Sequence, residues 1–182
     1  METVIHVFKI LRTLIEQHSK GKHELFMYGS IINGTMAVNG KSDKNSDLDL
    51  TIINKDNEDE HGDLRHIKEL LEKNQEKDCE IKDMKIIRPQ FGDLLTFKII
   101  FKDTTIDVDL SFHKILEVLN SKLLRAYCLY DYRFRNLAIV LKAWNKTLGA
   151  KKDILNSFSI YLLLLGFMIH NEYLPNLQRL AV

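Results

Sequence analysis

Residues 46–53 read Ser46-Asp47-Leu48-Asp49-Leu50-Thr51-Ile52-Ile53, and this stretch decides the fold. Leu48, Leu50 and Ile52 alternate with polar residues, which is the period of a strand with one buried face. Asp47 and Asp49 then share the other face. Two carboxylates that close repel each other, and a divalent cation between them relieves the cost. The stretch Thr105-Ile106-Asp107-Val108-Asp109-Leu110-Ser111-Phe112 repeats the pattern, with Asp107, Asp109 and Ser111 on one face and Ile106, Val108 and Leu110 on the other. A single Asp-x-Asp strand is usually just solvated. Two such strands side by side are a candidate two-metal site, one that activates an attacking hydroxyl and stabilises a leaving pyrophosphate.

Around these strands the chain changes character. Val4, Val7, Phe8, Leu11, Leu14 and Ile15 recur at helical spacing, and Gly21 stops the run. Residues 24–28, 84–87 and 94–101 read as further strands, and residues 63–76 as a helix. Residues 33–46 include a polar loop, and residues 56–60 an acidic connection. After residue 112 strand signals vanish, and residues 114–126, 131–148 and 154–171 all carry helical periodicity. Pro175 opens a last short helix or turn. The expected fold is α+β: a mixed sheet with flanking helices followed by a helical domain, divided near residue 113.

Composition agrees with a globular protein, at 45% hydrophobic and 28% charged residues. The net charge of +1 hides an asymmetry, because residues 1–112 hold 16 Lys/Arg against 21 Asp/Glu, and residues 113–182 hold 10 against 4. A carboxylate-rich first part and a basic second part suit a metal site facing a polyanion. Cys79 and Cys128 make no disulfide framework or zinc spacing, which points to a reducing compartment such as the cytoplasm. The apolar run at residues 160–169 is about half the roughly 20 residues of a membrane span, so no membrane partner is expected.

Gly29-Ser30 follows the strand candidate at residues 24–28. It resembles a phosphate-binding turn, where glycine lets backbone approach a ligand and free N–H groups meet the anion. Together, Tyr28-Gly29-Ser30, Asp47-Leu48-Asp49-Leu50 and Asp107-Val108-Asp109-Leu110-Ser111-Phe112 resemble the DNA polymerase β-like nucleotidyltransferase superfamily. Within it they resemble the branch of terminal uridylyltransferases and noncanonical poly(A) polymerases. That resemblance assigns the third metal ligand to Asp109, through Asp109-Leu110-Ser111-Phe112, with Asp107 in reserve.

The helical part carries the likeness onward. Residues 120–127 (NSKLLRAY) resemble the family segment that meets the nucleotide sugar and base, which points to Asn120 and Ser121. Residues 141–146 (LKAWNK) resemble the helix whose lysines grip the triphosphate, and Lys142 and Lys146 lie one helical turn apart. Residues 155–170 resemble the segment whose Ser-aromatic pair meets the nucleotide, here Ser157 and Phe158. Trp144, at helical spacing, reads as a core residue, and His66 and His113 as surface or packing residues.

The resemblance implies template-independent transfer of UMP or AMP from UTP or ATP to an RNA 3′-hydroxyl. Mg2+ (or Mn2+) would be held by Asp47, Asp49 and Asp109, and a protein partner would assist RNA recruitment. It also implies three regions: an N-terminal helix (1–22) packing on the helical domain, a catalytic palm (23–112) and a helical central domain (113–182) that is incomplete. The spacer between Ser30 and Asp47 is longer than usual in the family, so residues 38–44 are expected to be an insertion.

Overall fold

The computed structural model describes residues 2–35, 47–55, 64–74, 79–88, 92–147 and 155–180. The expected insertion at residues 38–44 and the acidic connection at 56–60 lie outside the described residues. The first part builds β1 (His23–Met27), β2 (Leu48–Asn54), β3 (Cys79–Ile87), β4 (Leu94–Phe101) and β5 (Thr104–Phe112), with helices α1 (Glu2–His18), α2 (Ser30–Asn33) and α3 (Leu64–Lys73). The second part builds α4 (Ile115–Tyr130), α5 (Tyr132–Thr147), α6 (Ser157–His170) and α7 (Leu177–Leu180).

The five strands form one sheet in the order β1-β2-β5-β4-β3. β2 and β5 run parallel, and the other neighbours are antiparallel. Alternation sorts the two faces. Leu48, Leu50 and Ile52 of β2, Leu95, Phe97 and Ile99 of β4 and Ile106, Val108 and Leu110 of β5 are buried in one core. Helices α1 and α3 close that core with Val7, Leu11 and Ile15 and with Leu64, Ile67, Leu70 and Leu71. Each of the fully buried leucines and isoleucines contributes ~1.5–3 kcal/mol relative to exposure.

The N-terminal helix was expected to pack on the helical domain, and it packs on the sheet instead. The apolar stripe read from the sequence is the buried stripe, but a stripe does not state which apolar surface it meets. The apolar sheet face built by β2, β4 and β5 is covered by α1 and α3 together.

The hairpin between β4 and β5 turns on Lys102 and Asp103, both at positive φ (43° and 57°), as a two-residue turn of the twist-matched kind requires. The register of β3 against β4 shifts between Lys82 and Lys85, where Asp83 has φ 57°. That bulge also explains why β3 is longer than the strand expected at residues 84–87: the alternation is broken inside it.

The helical part has its own core of Leu124, Tyr127, Cys128, Phe134, Ala138, Tyr161, Leu164, Leu165, Met168 and Leu174. Tyr127 and Phe134 are fully buried with ring centroids 5.9 Å apart. The Tyr127 hydroxyl accepts a hydrogen bond from the Leu177 backbone N–H at 2.9 Å, which ties α7 to α4. Trp144, expected in this core, is 55% exposed on α5. None of the described helices is long and apolar enough to cross a membrane.

Candidate active site

The sheet face opposite the helix-covered core carries the carboxylates. Parallel pairing places Asp49 of β2 beside Asp109 of β5, and Asp47 stands just before β2. Their mutual effect is electrostatic. Burial first, then Asp109 and Asp47, push the Asp49 carboxyl up to about 7, against the opposing pull of Lys142. Burial and Asp107 raise Asp47, with Lys146 and Lys142 acting in the opposite sense. Asp109 is raised by burial, Asp47 and Asp107. A group of carboxylates that each hinder ionisation of the next is what a divalent cation would complete, and an all-oxygen donor set is the chemistry magnesium takes. Among the described residues, no trio of His, Cys, Asp or Glu already surrounds one point at metal-ligating geometry.

Gly29 shapes the other wall. It has φ 75° and ψ −155°, a backbone state that side-chain-bearing residues avoid. A Cβ at Gly29 would overlap the Asp49 carboxylate, lying 2.9 Å from its Cγ. The glycine is therefore needed for Asp49 to lie against this turn. Its N–H, expected to face phosphate, is already used: it donates to Ser121 Oγ at 2.8 Å. The Ser121 hydroxyl in turn donates to the Glu117 carbonyl at 2.7 Å. Ser121 is buried, and its one proton is committed, so any nucleotide group it meets must donate to it.

Further bonds clamp the turn to the helical part. Arg125 Nη1 donates to the Ile32 carbonyl at 3.3 Å and Arg135 Nε to the Gly34 carbonyl at 2.9 Å. Thr35 Oγ1 donates to Asn33 Oδ1 at 2.7 Å, so the Tyr161 hydroxyl, 2.9 Å away, donates to Thr35. Tyr161 and Thr35 are both buried. Residues 29–35 are thus held from α4, α5 and α6.

A cleft of about 530 Å³ opens between the two parts. It collects Gly29, Ser30, Asp47 and Asp49 from the sheet part with Asn120, Ser121, Lys142, Lys146, Ser157 and Phe158 from the helices. These residues, far apart in sequence, are brought together. Phe158 is 36% exposed and lines the cleft. Asn156 caps α6 by accepting from the Ser159 N–H at 2.8 Å, which aims Ser157 and Phe158 inward from the first turn. Asp109 lies outside the cleft, in an adjoining groove of about 330 Å³ that shares Asp47 with it. Asp107 lines the same groove.

Sequence reading missed Tyr28, Asn33, Glu117, Asn156 and Tyr161 as lining residues. Tyr161 had a usable signal, because it stands one helical turn after Ser157 and so shares its face. Asn33 and Glu117 carry no pattern of their own. His66 is exposed, with its ring tilted against His18 at a centroid distance of 5.7 Å, and the His113 ring is tilted against Phe112 at 6.0 Å; neither lines the cleft or the adjoining groove.

The chain resembles known proteins in both sequence and shape. The family model described as "Poly(A) RNA polymerase, mitochondrial-like, central palm domain" matches residues 1–129. Poly(A) RNA polymerase gld-2 of Caenorhabditis elegans is 32% identical over 161 residues, covering 85% of this chain and 14% of the relative. Poly(A) RNA polymerase GLD2 of Danio rerio is 25% identical over 162 residues, covering 86% of this chain and 32% of the relative. The solved GLD-2/RNP-8 complex superposes with a TM-score of 0.78 at 27% identity, covering 98% of this chain and 58% of that one. A cytoplasmic RNA terminal U-transferase superposes at 0.68 with 21% identity, covering 93% of this chain and 47% of that one, a likeness of fold.

Proposed function

Because the chain belongs to the family of poly(A) RNA polymerase central palm domains of the mitochondrial-like type, we propose that it transfers AMP or UMP from ATP or UTP to an RNA 3′-hydroxyl without a template. One observation carries this reading. A single cleft joins Asp47, Asp49 and the Cβ-less Gly29 on one wall to Lys142 and Lys146 on the other. That places a cation-seeking pair of carboxylates opposite two ammonium groups, an arrangement that matches a triphosphate held across the gap.

In the proposed reaction the RNA 3′-oxygen bonds to the α-phosphorus, the α–β phosphoanhydride bond breaks, and pyrophosphate leaves. Nucleotidyltransferases of this family generally use divalent metals. Asp47, Asp49 and Asp109 would hold Mg2+ or Mn2+, which would supply charge neutralisation at the phosphates and acidify the attacking hydroxyl. Asp109, on the groove side, favours loss of the hydroxyl proton. Lys142 and Lys146 neutralise the triphosphate, and Ser30 holds a phosphate oxygen. Phe158 stacks on the base, while Asn120 and Ser157 meet sugar and base. Most of the catalysis is then positioning and electrostatics.

Base discrimination is modest in this reading. A ring face stacks on any base, and an asparagine amide both donates and accepts, so it can meet adenine or uracil. RNA recruitment leans on a protein partner. The net charge is only +1, and the solved relative of TM-score 0.78 is itself a complex with a second protein. Cys79 and Cys128 are buried in separate cores, one in the sheet part and one among the helices, which fits a reducing compartment such as the cytoplasm.

The test is extension of a short RNA with each nucleoside triphosphate separately, in Mg2+ and in chelator. A parallel RNA carries a blocked 3′ end. Extension should require both the free 3′-hydroxyl and the metal, and the ATP and UTP rates should differ by less than ~10²-fold. No extension with any triphosphate, or extension of the blocked RNA, would reject the reading.

A further inference from the structure

The helical wall of the cleft carries a carboxylate that the transfer chemistry leaves unused. Glu117 lies in the first turn of α4 and lines the cleft. Glu117, Asn120, Ser121 and Leu124 fall at helical spacing, so the four share one face of α4, and all four line the cleft. Ser121 sits against Gly29, and Glu117 stands one turn nearer the helix start. That turn brings it toward Tyr28, whose backbone N–H donates to the Asp49 carbonyl at 3.0 Å. Burial raises the Tyr28 hydroxyl above its ordinary value, and Asp49, Glu117 and Asp109 add to the rise against its hydrogen bond with Ser111. The Glu117 charge is therefore felt where the metal-side carboxylates are felt, but it comes from the helical side.

A carboxylate facing a cleft that takes a polyanion is repulsive unless it meets a hydrogen-bond donor. Its ion pair within the chain is weak. Lys114 Nζ stands 3.7 Å from Glu117 Oε1, beyond hydrogen-bond length, with side chains 30% and 44% exposed. The carboxylate keeps acceptor positions for a ligand. With the α-phosphorus of a nucleoside triphosphate at Asp47 and Asp49, the next group along is the ribose. Its hydroxyls are donors that a carboxylate holds well, as acidic residues do in dinucleotide-binding folds. We propose that Glu117 accepts a hydrogen bond from a ribose 2′-hydroxyl and makes the cleft selective for ribonucleotides over deoxyribonucleotides. The inference rests on the transferase reading above for where the nucleotide lies.

Glu117 stands between the motifs at residues 107–112 and 120–127 and belongs to neither, so the family likeness assigns it no role. A plainer account is that a first-turn glutamate complements the positive end of the helix dipole. That role is fulfilled in solvent. It predicts a small fall in thermal midpoint on substitution and no change in which sugar binds.

Calorimetric titration of the full 182-residue chain in Mg2+ with ATP and with 2′-deoxyATP, without RNA, tests the assignment. The wild type should bind 2′-deoxyATP ~tenfold more weakly, as for one charge-assisted hydrogen bond at a half-exposed group. Glu117→Ala should bring the two affinities within ~twofold. Glu117→Gln, isosteric with a neutral acceptor, should keep ~threefold, and it carries the test if the alanine variant is unstable. Loss of the charge shifts both titrations alike, so the ratio isolates the hydrogen bond. The acceptor terminus is a second source of the same hydroxyl, and extension of RNA ending in a ribo or a 2′-deoxy nucleotide separates it. A preference for the ribo end that Glu117→Ala abolishes, with equal affinities for the two triphosphates, would assign the 2′-hydroxyl to the acceptor. No preference in either arm, or a preference unchanged in both variants, would overturn the proposal, as would a wild-type chain that binds neither triphosphate. The titration needs no turnover, so a chain that shows the ratio yet extends no RNA would support Glu117 and refute the transferase reading instead.

Discussion

Gly29→Ala is the substitution whose cost can be worked most fully from the structure. Two effects add. The first is backbone strain, since φ 75° and ψ −155° lie in a region open essentially to glycine, at ~1–3 kcal/mol. The second is the overlap of the new Cβ with the Asp49 carboxylate. Gly21→Ala separates them, because Gly21 has φ 80° but nothing within 4 Å of a built Cβ. It carries strain alone, partly offset by the ~0.4–1 kcal/mol that alanine gains through the unfolded chain. Gly21→Ala should therefore cost ~1 kcal/mol, and Gly29→Ala ~3 kcal/mol, which lowers the thermal midpoint by ~6–12 °C for a chain of this size. The activity contrast should be sharper. Asp49 must move by a fraction of an ångström or more, and misplacement on that scale costs on the order of 10²-fold in rate. The assay is RNA extension below both melting midpoints, with each midpoint read by calorimetry. Gly29→Ala with wild-type turnover, or equal losses in both variants, would refute the claim that Gly29 makes room for Asp49.

Other outcomes follow from the same geometry. Lys142→Ala with Lys146→Ala should weaken ATP binding at least ~tenfold in a calorimetric titration and leave the circular dichroism unchanged, since both lie on the cleft side of α5. The raised Asp49 carboxyl sets a pH dependence. Its folded value of about 7 exceeds the unfolded 3.8, so its contribution to metal-free stability is present below pH ~4 and lost as pH rises through 7. The ceiling is ~4 kcal/mol, reduced to ~2 kcal/mol by partial solvation and sharing with Asp109 and Asp47. Asp49→Asn should raise the metal-free midpoint at pH 8 and do so much less at pH 5. Tyr161→Phe removes the bond to Thr35 and should cost ~1 kcal/mol, a fall of ~2–4 °C in midpoint.

Much of this was legible because strand parity is strict. Once residues 47–53 were read as a strand, Leu48, Leu50 and Ile52 had to enter the core and Asp49 had to face away. The same rule put Asp109 opposite Ile106, Val108 and Leu110. The long helices were legible from period alone. Parity could not say which strands are neighbours, so the pairing of Asp49 with Asp109 needed the parallel β2–β5 contact. Nor could it show where α1 docks, since its stripe of Val7, Leu11 and Ile15 suits any apolar surface. Helical spacing placed Trp144 in a core, yet α5 buries only Phe134 and Ala138 deeply. The bulge at Asp83 hid half of β3 and with it the register of Lys85. The clamp of Ser121, Arg125, Arg135 and Tyr161 on the Gly29–Thr35 turn was invisible, because three of its bonds end on backbone groups that no side-chain pattern reports.

The most direct test of the central claim is extension of a short RNA with labelled ATP in Mg2+ by wild-type chain and Asp49→Asn at equal folded concentration. The wild type should add nucleotide to the free 3′-hydroxyl, and the variant should be slower by at least about 10²-fold while folding and keeping its affinity for RNA. Extension by the variant at the wild-type rate would contradict the carboxylate site, whatever the likeness to poly(A) polymerases.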